Sequence, residues 1–187
     1  TPTLIPMVAR VHTIQPNVFS GTNVAIEADI SRGLHAFSVV GLAGKAVDES
    51  KDRVSSAIKH SGFTSPKSKN HKVVISLTPA DLKKEGPLFD LPIAIAYLVA
   101  AGEVTNDETE RAFIGELGLD GTLRPVRGVL SCVQAASEAG FAEIVVPTEN
   151  PQEAALVDDI AVIPATSLRE VIEHISPDVP EHLTKQA

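Results

Sequence analysis

Five lysines, Lys67, Lys69, Lys72, Lys83 and Lys84, fall close together in the middle of the chain. Ammonium groups grouped in this way can neutralise a run of phosphates, which is DNA contact through the backbone rather than the bases. They can equally form a solvated rim that keeps a neighbouring strand soluble. Four carboxylates, Asp81, Glu85, Asp90 and Glu116, lie beside or beyond the last two of these lysines in sequence. A pair of them could perform acid–base hydrolysis together with Arg124 or Arg127. Capping, turn formation and solvation account for the same residues with fewer assumptions.

Other chemistries are poorly supplied. Gly41-Leu42-Ala43-Gly44-Lys45 stands between an expected strand and an expected helix, where a phosphate-binding loop would be found. That motif needs Gly, four residues, then Gly-Lys-Ser/Thr, because the hydroxyl holds Mg²⁺. Here Val39 replaces the first glycine and Ala46 follows the lysine, so the pattern fails at two places. His12, His35, His60, His71, His174 and His182 are scattered, and no metal site is expected from them. Cys132 is the single cysteine, so no internal disulfide can form, which fits a reducing cytoplasm. Mid-helix, next to Ser131, it reads as a small hydrophobe.

The elements that must position these residues follow from the apolar pattern. Strands are expected at 7–14, 23–30, 35–40 and 71–77, with Val24, Ile26, Ala28 and Ile30 alternating against polar neighbours in the second. The spacing predicts an amphipathic helix over 46–60, closed by Ser61-Gly62, and a polar basic loop over 63–70. Asp90 is placed to cap a helix with Pro92 in its first turn, and the run to Ala101 has no polar face, so that helix should be buried all round. A membrane span would need about 20 such residues. A hairpin is expected to pair 112–117 with 122–124 over Leu119-Asp120-Gly121. Beyond it come a helix over 126–139 closed by Gly140, a strand at 142–146, a short helix at 151–157, a strand at 160–163 and a helix over 168–175. Thr166 or Ser167 would cap the last of these, with Glu170 completing a capping box. A strand-led first half and an alternating second half give an α+β or mixed α/β protein.

Composition narrows the function classes. The net charge of −8 argues against a general nucleic-acid binder, and 4% aromatic residues without Trp give few stacking platforms. The charge is uneven, however: Lys45–Lys84 carries +5 and the remainder −13. An apolar content of 43% is that of a soluble globular domain.

Several segments resemble one family. They are Phe37-Ser38-Val39-Val40-Gly41-Leu42-Ala43, Lys51-Asp52-Arg53-Val54, and Leu77-Thr78-Pro79-Ala80-Asp81-Leu82-Lys83-Lys84-Glu85-Gly86. Phe89-Asp90-Leu91-Pro92 and the long motif Gly115-Glu116-Leu117-Gly118-Leu119-Asp120-Gly121-Thr122-Leu123-Arg124-Pro125-Val126-Arg127-Gly128-Val129-Leu130 follow. Over roughly 7–175 the chain resembles the N-terminal domain of the ComM/YifB-type, magnesium-chelatase-related proteins. The resemblance implies an α+β fold like the proteolytic domain of Lon, in the superfamily shared with GHMP kinases and a ribosomal small-subunit protein domain. In Lon-type peptidases a serine and a lysine form the catalytic dyad; the corresponding positions here are Leu88 and Leu130. Neither side chain can attack a carbonyl or take a proton, so that mechanism is unavailable and no catalytic residue is expected.

Whole proteins of this type continue into an AAA+ module that binds ATP and Mg²⁺, assemble as hexamers, and in the ComM case resemble DNA helicases of natural transformation. The expectation is therefore a cytoplasmic, non-catalytic module without a cofactor of its own. Its partners would be its own AAA+ module, further copies of itself and DNA, with no membrane. Residues 1–6 and 176–187 would be linker or tail. An inactive peptide-binding module and a residual hydrolase are the rivals.

Overall fold

The computed structural model describes residues 8–107, 109–149 and 157–176. Its strands are β1 (Ala9–Pro16), β2 (Gly21–Arg32), β3 (Ala36–Val40), β4 (His71–Thr78), β5 (Arg111–Phe113), β6 (Glu116–Leu117), β7 (Leu123–Arg124), β8 (Glu143–Pro147) and β9 (Ala161–Ala165). Seven of them form one sheet in the order β3-β4-β2-β1-β5-β8-β9, and β6 and β7 make a separate hairpin. The β1–β2 and β2–β4 pairs are antiparallel and the other four pairings of the large sheet are parallel, so the molecule is mixed α/β rather than segregated α+β.

The helix expected over 46–60 is in fact two, α1 (Lys45–Asp48) and α2 (Ser50–His60). The Ser50 hydroxyl donates to the Val47 carbonyl at 2.6 Å, a local bond that competes with the helical ladder at the junction. α3 (Asp90–Ala100) packs on β1, β2 and α2. Every residue from Asp90 to Leu98 is buried, as the absence of a polar face requires. α4 (Val129–Glu138) starts three residues later than the pattern predicts, because Gly128 caps it in the left-handed conformation and holds Pro125-Val126-Arg127 outside. It lies on β1, β2 and β8. Cys132 there is enclosed, and burial pushes its thiol up to about 12, the character of a packing residue.

α5 (Leu168–Ile175) has the expected bounds, with the Ser167 hydroxyl accepting from the Glu170 amide. Glu170 reaches back to the Thr166 amide, one residue before the cap. The short helix expected at 151–157 and the tail expected after Ser176 lie outside the described residues, Val157 apart.

The strand predicted over 112–117 breaks in two at Ile114-Gly115. Gly115 donates to the Leu88 carbonyl and accepts from the Leu91 amide, which pins the hairpin against the start of α3. A Cβ there would stand 2.6 Å from Leu123 Cδ2 and 3.5 Å from Leu91 Cβ, too close for anything but glycine without rearrangement. The Gly115-Glu116 motif thereby has a packing cause.

Candidate functional site

Three polar assemblies surround the start of α3. The first is a lock: Arg53 of α2 donates to both carboxylate oxygens of Asp90, at 2.7 and 3.0 Å, and also to the Ala46 carbonyl at 3.0 Å. Asp90 Oδ2 additionally accepts from the Leu117 amide at 3.1 Å. The sequence pattern makes Asp90 the cap of α3; it is instead the first residue of the helix, and Phe89 at the cap position makes no side-chain bond. The Asp90 carboxylate is used to tie α2, α3 and β6 together. Burial raises its pKa from 3.8 to about 6, held back by the Arg53 guanidinium and the Leu117 amide.

The second assembly encloses Lys84, which is 0% exposed. Its ammonium donates to the Gly41 carbonyl at 2.7 Å and to the Pro79 carbonyl. Its amide donates to the Leu42 carbonyl, and its own carbonyl accepts from the Gly44 amide. The expectation that Lys84 contacts DNA is therefore corrected: it is a buried strut, because an enclosed ammonium satisfied by carbonyls cannot face a phosphate backbone. Burial lowers its pKa, with Asp81 opposing. The same bonds occupy the Gly41 and Leu42 carbonyls and the Gly44 amide of the Gly41–Lys45 loop.

The third is a cleft of about 510 Å³ between the 85–88 turn, the end of β1 and the 125–127 segment. Glu85, Glu116 and Arg127 line it together with Pro87, Leu88 and Val126. Gln15 fixes one wall, donating to the Lys83 carbonyl and accepting from the Glu85 amide. Leu88, aligned above with the peptidase serine, lines the cleft, whereas Leu130 lies in the first turn of α4, half-buried and outside the lining. None of the lining side chains carries a hydroxyl, thiol or amine. Asp81 and Arg124 do not line the cleft, and Asp90 is held by Arg53. Of the residues weighed for hydrolysis, only Glu85, Glu116 and Arg127 are brought together.

The remaining lysines are dispersed. Lys67 is exposed and donates to Asp52 at 2.9 Å, holding that carboxyl below its ordinary range. Lys83 is exposed and lies 3.1 Å from Glu85. Lys69, just before β4, and Lys72, within it, stand near Arg32 at the end of β2. Arg32 has no local sequence signal, because only the antiparallel register, which sets it opposite His71, brings it there. Among the described residues no group of His, Cys, Asp and Glu is arranged to hold a metal ion. No described helix is long and apolar enough to cross a membrane.

The comparisons with known proteins agree with this arrangement of motifs. Residues 26–150 match the family described as subunit ChlI of Mg-chelatase, and the chain belongs to it. It is 41% identical over 164 residues to the YifB protein of Salmonella typhimurium, covering 87% of this chain and 32% of that protein. To the competence protein ComM of Haemophilus influenzae it is 38% identical over 154 residues, 82% of this chain and 30% of that protein. A more distant likeness, 28% over 138 residues, runs to the archaeal Lon protease of Methanothermobacter thermautotrophicus, over 72% of this chain and 21% of that enzyme. The chain thus spans 30–32% of the length of its YifB and ComM relatives.

Proposed function

We propose that the chain is a non-catalytic module of a magnesium-chelatase-like AAA+ ATPase of the ComM/YifB type. It serves ring assembly, DNA engagement or both, in branch migration or natural transformation. The observation that supports the non-catalytic part is the cleft: its lining offers no hydroxyl, thiol or amine, and it includes Leu88, which the Lon resemblance puts in place of the serine. The Lon likeness supports a Lon-domain-like fold of the superfamily that includes GHMP kinases. ATP and Mg²⁺ belong to an AAA+ module outside these residues, and the working assembly is a cytoplasmic homo-hexamer. In such a ring, weak contacts repeated six times give DNA affinity that a single copy lacks.

Incubation of the chain with casein and with short peptides is expected to give no cleavage above buffer. Cleavage that disappears on Glu85→Gln would overturn the reading in favour of a residual hydrolase. A second reading, an inactive peptide-binding module, is favoured by the same cleft, whose lining mixes the apolar Pro87, Leu88 and Val126 with Glu85, Glu116 and Arg127. Failure of an unfolded peptide to bind at low salt would remove it.

A further inference from the structure

The five lysines suggested by sequence spacing are not left equally available by the fold. Lys84 is enclosed, and Lys67 and Lys83 are engaged by Asp52 and Glu85. A different set converges at the end of the sheet. β2 finishes at Arg32 and β4 begins at His71, directly opposite in the antiparallel register, and the Gly33 amide donates to the Asn70 carbonyl at 3.1 Å. Between the two runs lies a groove of about 540 Å³, lined by Arg32, Gly33, Leu34, Lys69, Asn70 and His71. Lys72, the next residue of β4, is exposed but falls with its pair partners Ser31 and Ala36 on the other face of the sheet, outside this groove.

Two features of this groove point to its occupant. No carboxylate lines it, in a chain whose net charge is −8. Arg32 and Lys69 make no ion pair or side-chain hydrogen bond among the described residues, so their charges are uncompensated and suit a polyanion. The second feature is Leu34, which is 92% exposed in the same groove, with nothing in the described molecule covering it. Basic side chains that hold phosphates beside an apolar wedge that enters between bases are the combination by which proteins grip and open a base step.

We propose that this groove is a nucleic-acid contact in which Arg32 and Lys69 take backbone phosphates and Leu34 enters an opened base step. The inference rests on the DNA-engagement reading and adds a preference: duplexes with a mismatch, flap or junction, where unstacking costs least, bind more tightly than an intact duplex. Phosphate contacts set the salt dependence and the leucine sets the preference.

The test is fluorescence anisotropy of the 187-residue chain at low salt, with an intact duplex, the same duplex carrying a central mismatch, and polyglutamate as competitor. The wild-type chain should prefer the mismatched duplex. Arg32→Glu and Lys69→Glu together should weaken binding at least about tenfold and flatten the salt dependence by about one unit of slope for each phosphate no longer held. Leu34→Ser should keep the slope and lose the preference. Arg32 and Leu34 are exposed and Lys69 is half-buried, and an unchanged circular dichroism spectrum verifies that the variants remain folded. If the Arg32→Glu, Lys69→Glu variant binds like wild type while Lys67→Glu with Lys83→Glu abolishes binding, the groove is wrong and DNA engagement stands. If no DNA binds, or polyglutamate displaces it at equal charge, the nucleic-acid reading itself fails and an acidic protein becomes the occupant. A mismatch preference that survives Leu34→Ser overturns the wedge.

Discussion

Arg53→Met is expected to cost about 3–5 kcal/mol at neutral pH, the usual penalty for stranding one partner of a buried ion pair. For a chain of this size that lowers the melting temperature by roughly 10 °C. Asp90 would remain enclosed at the start of α3, keeping only the Leu117 amide as a partner. The effect depends on pH in a defined direction. In the folded protein burial already holds the Asp90 carboxyl up to about 6, above its ordinary 3.8. Its stabilising balance is therefore complete below about 3.8 and is lost as pH rises through about 6. Without the guanidinium the carboxyl rises further, so the loss continues to higher pH. Urea unfolding at pH 5 and pH 8 should show the gap between variant and wild type widening with pH. A gap that is constant, or below about 1 kcal/mol at pH 8, would mean that the pair does not lock α2 to α3.

Gly41→Ala is expected to be more damaging. Gly41 has φ of +106°, and a Cβ added there would overlap the Leu77 carbonyl oxygen of β4. Neither backbone can yield easily: β3 and β4 are paired in parallel up to Val40 and Ser76, and the Gly41 carbonyl accepts from the buried Lys84 ammonium. A loss above about 4 kcal/mol, or failure to accumulate as folded protein, is the expected result. Val40→Ala, at an exposed neighbour, should change stability little. Equal behaviour of the two variants would show that the Gly41–Lys84 crossing is not a fixed part of the fold. In sequence Gly41 belongs to a failed phosphate-binding pattern; close backbone approach is what its glycine serves.

What the sequence discloses depends on whether the cause is local. The buried helix α3 is legible because an apolar run without a polar face has one solution, and α5 because Ser167 and Glu170 mark its start within four residues. The break between α1 and α2 is not, since one serine hydroxyl bonding back to Val47 does not disturb the apolar period. The late start of α4 is hidden because the left-handed cap at Gly128 leaves no hydrophobic signature. At the candidate sites the failures are tertiary. Asp90 looks like a cap in sequence and is a partner for Arg53, 37 residues away. Lys83 and Lys84 look equivalent, yet a segment held by Gln15 leaves one outward and the other enclosed. Arg32 and Lys69 gather only through the β2–β4 register. In contrast, the family motifs are legible directly, because Gly115, Asp90 and Lys84 each make contacts that few other residues could replace.

If this chain is a module of an AAA+ motor, its nucleotide chemistry is carried elsewhere in the same polypeptide. The most direct test is the coding sequence that follows the Ala187 codon. An open frame continuing into an AAA+ module with an intact Gly-x-x-x-x-Gly-Lys-Ser/Thr loop is the predicted result. A stop codon immediately after Ala187, in the gene as it is expressed, would contradict it.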